Sequence, residues 1–75
     1  MDETIKITHG TGLVTEIPAR DIGGTSFVRG RGEFHFLLYS RIGTQAWKIS
    51  RFASKADADA QRQHIEREYN RIMTQ

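Results

Sequence analysis

The sequence predicts an α+β domain. The expected form is an antiparallel sheet of about five strands, an N-terminal hairpin plus a three-stranded meander, followed by one C-terminal α-helix packed on one face. Three observations predict it. Short runs of alternating apolar and polar residues, separated by glycine-bearing turns, fill residues 4–52. From Lys55 to Met73 there is neither glycine nor proline, and apolar residues recur at helical spacing. The run Glu33-Phe34-His35-Phe36-Leu37-Leu38-Tyr39-Ser40 is apolar on both sides, with Phe34, Phe36 and Leu38 on one face and His35, Leu37 and Tyr39 on the other. One helix covers one face. The other must be closed by the sheet rolling on itself, by a second copy of the chain, or by a target.

Taken in order, residues 4–8 place Ile5 and Ile7 on one side, and residues 13–17 do the same with Leu13, Thr15 and Ile17. A three-residue loop of Gly10, Thr11 and Gly12, with Gly12 at positive φ, sets Ile5 opposite Ile17 and Ile7 opposite Thr15. A two-residue loop would offset the apolar sides. Pro18 lacks a donor for the ladder and ends the second strand, and residues 19–24 form a connection closing on Gly23 and Gly24.

Residues 25–29 and 33–40 flank Arg29-Gly30-Arg31-Gly32. A type II′ turn with Gly30 first and Arg31 second would bring Phe27 opposite Phe34. A four-residue loop, 41–44, returns the chain into residues 46–52, with Trp47 opposite Leu38 and Ile49 opposite Phe36. Phe27, Phe34, Phe36, Leu38, Trp47 and Ile49 are therefore the expected core layer. Ser54 is the expected helix N-cap, with Asp57 three residues on. The helix carries its apolar stripe on Ala58, Ile65, Tyr69 and Ile72, with Ala56, Ala60 and Met73 beside it.

The chain is short enough for one domain, residues 1–75, and one core. No cysteine is present, which excludes disulfides and thiolate metal sites and suits a reducing compartment. The acidic start, Met1-Asp2-Glu3-Thr4, lacks the basic and then apolar stretch of a secretory signal. Mean hydropathy is −0.54 and no apolar run reaches membrane length. These features predict a cytoplasmic protein that does not enter a membrane. Net charge is +2, but it is unevenly placed: −2 over residues 1–18, +4 over 19–53 and zero over 54–75. The arginines of the central strands and turns offer planar forks of donors suited to phosphate or carboxylate.

No constellation for catalysis, cofactor or metal is expected. His9, His35 and His64 match no metal-ligand spacing, and Ser26, Ser40, Ser50 and Ser54 lie in no nucleophile elbow. Asp57, Asp59, Glu66 and Glu68 are accounted for by the helix dipole and by Arg62 and Arg71 one turn away. The Gly10-Thr11-Gly12 and Arg29-Gly30-Arg31-Gly32 stretches do not lead into a helix with a lysine, as a phosphate loop requires, and read as turns.

The sequence reading is thus a small non-catalytic binding protein that docks on a protein or nucleoprotein partner. The expected contact residues are Val28, Arg29, Arg31, His35, Leu37, Tyr39, Lys48 and Arg51, with Phe52 near their centre. A homodimer through the same face is a second arrangement. The alternative is a sequence-tolerant DNA- or RNA-binding domain using the basic strands and turns of residues 19–53.

The passage Trp47-Lys48-Ile49-Ser50-Arg51-Phe52-Ala53-Ser54-Lys55-Ala56-Asp57-Ala58 runs a last strand into a capped helix. Together with the two strands before it, it resembles in outline the sheet-plus-helix DNA-binding domains of the integrase arm-binding type, over residues 25–72. That resemblance implies a three-stranded sheet in the major groove and nominates Arg29, Arg31, Lys48 and Arg51 as contacts. By size and simplicity the chain is also similar to the inhibitors with which phages and mobile elements block host complexes, anti-CRISPR proteins among them.

Overall fold

The computed structural model describes residues 3–75; Met1 and Asp2, at the acidic start, lie outside them. Strands β1 (Thr4–Thr8) and β2 (Val14–Pro18) pair antiparallel with Ile5 opposite Ile17 and Ile7 opposite Thr15, the register that the apolar alternation predicts. The loop between them spans residues 10–12. It is closed by His9 N–H donating to Leu13 O at 2.8 Å, with Gly12 at φ +91°.

A 3₁₀ turn (Ala19–Asp21) leads to the second sheet, made of β3 (Ile22–Thr25), β4 (Arg29–Arg31), β5 (Glu33–Ser40) and β6 (Ala46–Phe52). β5 is its axis. β3 pairs with the C-terminal half of β5 and β4 with the N-terminal half, while β6 runs along most of the opposite edge. The fold class is as the sequence predicts, but six strands form: residues 26–28 of the strand expected over 25–29 leave the ladder, while Ile22–Thr25, expected mostly as connection, and Arg29–Arg31, expected largely as turn, each pair with β5. Thr25 pairs with Leu38 and Arg29 with His35, so three residues on one side face two on the other. Ser26 bridges the break: its N–H donates to Leu37 O at 2.9 Å and its hydroxyl accepts from Leu37 N–H at 2.8 Å.

The extra residue alters the expected core. Phe27 is expelled and stands 83 % exposed, whereas Val28 packs against the buried cluster. The Gly30-Arg31 turn is likewise replaced. Gly30 lies inside the ladder opposite Phe34, and the chain reverses at Gly32, φ +73°. Gly30 itself has φ +134°, and a Cβ there would run into the carbonyl of Glu33, so only glycine fits.

On the other edge Leu38 faces Trp47 and Phe36 faces Ile49, as the sequence predicts. Phe36, Leu38 and Ile49 are fully buried, and Phe34 and Trp47 pack partly against them. Helix α1 (Lys55–Met73) contributes Ala58 and Ile65 to this cluster, with Tyr69 and Ile72 at its margin. The β1–β2 hairpin adds Ile5, Ile7 and Ile17. Hairpin and helix thus build one core on the Phe36–Leu38 side of the second sheet. Ser54 caps α1, its hydroxyl accepting from Asp57 N–H at 3.1 Å. Ser54→Ala is expected to cost about 1 kcal/mol, read as a lower urea midpoint with an unchanged m-value.

Candidate binding face

Because side chains alternate along a strand, packing helix and hairpin against Phe36 and Leu38 leaves the opposite face of β5 uncovered. Directly opposed residues share a face, so the ladder defines its membership. Arg29 stands beside His35, Arg31 beside Glu33, Leu37 beside Lys48, and Tyr39 between Gly24 and Ala46. Tyr39 is 43 % exposed; Leu37 and His35 are half-buried; Arg29, Arg31 and Lys48 are exposed. The face is divided along β5. Its N-terminal end is basic and polar, and its C-terminal end carries Leu37, Tyr39 and Ala46 next to the bare backbone of Gly24.

Six of the residues expected to meet a partner, Arg29, Arg31, His35, Leu37, Tyr39 and Lys48, are therefore brought together on one open surface. Val28 is not among them. The same extra residue that expels Phe27 turns Val28 toward the core. Phe52, expected near the centre of the second face, is instead buried and stacked on Phe36 with ring centroids 6.1 Å apart.

The cause is a bulge. Phe36 pairs with Ile49 and Phe34 with Phe52, so β6 spends one residue more than β5 over this stretch, and Arg51 takes φ +66°. Strict alternation from Trp47 and Ile49 would have put Arg51 in the core and Phe52 outside. A charged residue at a core position followed by an aromatic at a surface position is the sequence signal of that insertion. With the bulge in place, Arg51 lines a shallow depression together with His35, Lys48, Ser50 and Glu33. Ser50 and Glu33 are the site residues that sequence reasoning missed.

The hairpin tip closes on this region from the edge, with Gly10 N–H donating to Ser50 O at 2.9 Å. His9 is engaged separately, its Nε2 lying 3.0 Å from Thr15 Oγ1 within the hairpin.

Charge follows the same division. On α1, Arg62 holds Asp59 at 2.8 Å and Glu66 at 2.9 Å, and Arg71 holds Glu68 at 3.0 Å and Glu3 at 3.3 Å. The hydrogen bond from Arg62 holds the Asp59 carboxyl below its ordinary range, and that from Arg71 does the same for Glu68. By contrast, the side chains of Arg29, Arg31, Lys48 and Arg51 make no hydrogen bond or ion pair among the described residues. On the helix Asp59, Glu66 and Glu68 are matched internally; the cations on the open face form no ion pair among the described residues.

Among the described residues no three His, Asp or Glu side chains gather as a metal would require, and no helix is long and apolar enough to cross a membrane. No family model, curated protein or solved structure matches the chain.

Proposed function

We propose that the chain is a non-catalytic binding module that docks on a protein or nucleoprotein partner through the open face of the β3–β6 sheet, working in the cytoplasm. The observation that supports this reading is the union, on one uncovered surface, of an apolar half, Leu37 and Tyr39, with cations that form no ion pair among the described residues. Tyrosine and arginine concentrate binding energy at protein contacts, and an apolar centre beside a charged margin is the usual layout of such a surface. Occupying a partner's anionic surface is enough to block whatever else binds there, so the module would inhibit without chemistry.

The test is a pair of variants, Tyr39→Asp and Leu37→Asp, used as bait in affinity capture from the source cell beside the wild type. Both side chains lie outside the core, so circular dichroism and the thermal midpoint should change little. Capture of a partner by the wild type should fall at least tenfold in both variants. Retained capture with the native fold would reject this face. Light scattering separates the remaining arrangement: a dimeric wild type that becomes monomeric on Tyr39→Asp would assign the face to a second copy of the chain.

A further inference from the structure

The bulge of β6 places an arginine where glycine would fit more easily. At φ +66° Arg51 is in the left-handed region, which side chains other than those of glycine, asparagine and aspartate adopt at a cost. The same bulge brings Ser50 and Arg51 across from His35 and opens the depression that Lys48 also lines. None of these four side chains has a hydrogen bond or ion pair among the described residues. Their capacity to donate is large: five N–H groups on Arg51, three on Lys48, one hydroxyl on Ser50 and at least one N–H on the His35 ring.

A carboxylate presents two oxygens in one plane. A phosphate presents its oxygens in three dimensions, which suits donors arriving from two strands and a bulge. Positive charge also continues beyond the depression. Arg29 stands beside His35, and Arg31 follows two residues along β4 on the same face, about 6.6 Å further on. That is more cationic surface than one isolated anion can engage. It suits a chain of linked phosphates.

We propose that the depression formed by His35, Lys48, Ser50 and Arg51 is a phosphate site, and that the phosphate it takes belongs to the backbone of a nucleic-acid strand that continues over Arg29 and Arg31. The proposal rests on the reading that the open face is the working surface, and it assigns the basic half of that face to the nucleic-acid component of the partner. Glu33, the one carboxylate at the depression, opposes the anion and limits its affinity.

The experiment is a titration of the ¹⁵N-labelled full chain with a twelve-nucleotide homothymidine strand and, separately, with inorganic phosphate. The oligonucleotide should shift the amides of His35, Ser50, Arg51, Arg29 and Arg31 saturably, at a concentration at least tenfold below that needed with inorganic phosphate. Its affinity should fall steeply with added salt. Arg51→Gly should weaken oligonucleotide binding at least tenfold without lowering the thermal midpoint, because glycine relieves the left-handed backbone. Lys48→Gln, at an exposed strand position, should weaken it independently, and Glu33→Gln should strengthen it.

Absence of a saturable shift, or a shift that Arg51→Gly and Lys48→Gln leave intact, would overturn the site. Equal affinity for inorganic phosphate and the oligonucleotide would overturn its assignment to a strand. If the oligonucleotide fails while Tyr39→Asp still abolishes capture of a protein, the phosphate assignment falls and the docking reading stands.

Discussion

Phe36→Ala is expected to lower the unfolding free energy by about 3–5 kcal/mol, the range for truncating a buried aromatic. Phe36 is fully buried, lies opposite Ile49, stacks on Phe52, and belongs to the one cluster that joins both sheets to α1. Its removal leaves a void that elements converging from three sides cannot all close. A domain of this length has roughly 4–11 kcal/mol in total, so the loss consumes a large part of it. Urea denaturation followed by circular dichroism measures the effect. Phe27→Ala is the matched control: at 83 % exposure it should change stability by no more than about 0.5 kcal/mol. Comparable losses in the two variants would place Phe27 in the core and refute the interrupted strand.

The second large effect is expected at a residue with no side chain. A Cβ on Gly10 would overlap the carbonyl of Arg51 and press on the amide nitrogen of Phe52, all backbone atoms that cannot swing aside. Gly10→Ala must therefore lift the hairpin tip from β6 or rebuild the bulge. Lifting the tip also breaks the Gly10 N–H to Ser50 O hydrogen bond. The expected cost is about 1–3 kcal/mol, the usual penalty of overpacking. Hydrogen exchange should localise it, with the Gly10 amide losing protection more than those inside β1 and β2. Unchanged stability and unchanged protection at Gly10 would show that the tip does not rest on β6.

What was legible in the sequence and what was not divides along physical lines. The β1–β2 register, the pairing of Phe36 with Ile49 and of Leu38 with Trp47, and the Ser54 cap all follow from local rules: period-two alternation, loop length, and an oxygen at the helix entry. The turn after β4 sits at Gly32 instead of Gly30-Arg31, residues 22–25 form a strand where a connection was expected, and two single-residue insertions enter the ladders. At residues 26–28 a serine hydroxyl substitutes for a backbone acceptor and lets the strand skip a residue, which reverses the roles of Phe27 and Val28. At residues 50–51 the bulge keeps Arg51 exposed, as expected of a contact residue, and moves Phe52 from the expected open face into the core. At the second insertion alternation shows only a broken pattern at Arg51 and Phe52, because the energy that selects the bulge comes from burying Phe52 on Phe36, a contact made across strands. The open face survived these shifts where it depends on β5 itself, at His35, Leu37 and Tyr39. It changed at Val28 and Phe52, the residues that adjoin the two insertions.

The contact between the hairpin tip and the bulge joins positions forty residues apart in the chain. Closing so long a loop is entropically slow, whereas the turns linking β4, β5 and β6 are short. The meander and its helix can therefore assemble first, and the amino-terminal arm then settles over a partly finished layer. A transient detachment of that arm in the native protein would loosen residues 50–52 with it, so solvent exchange at the two places should rise and fall as one unit.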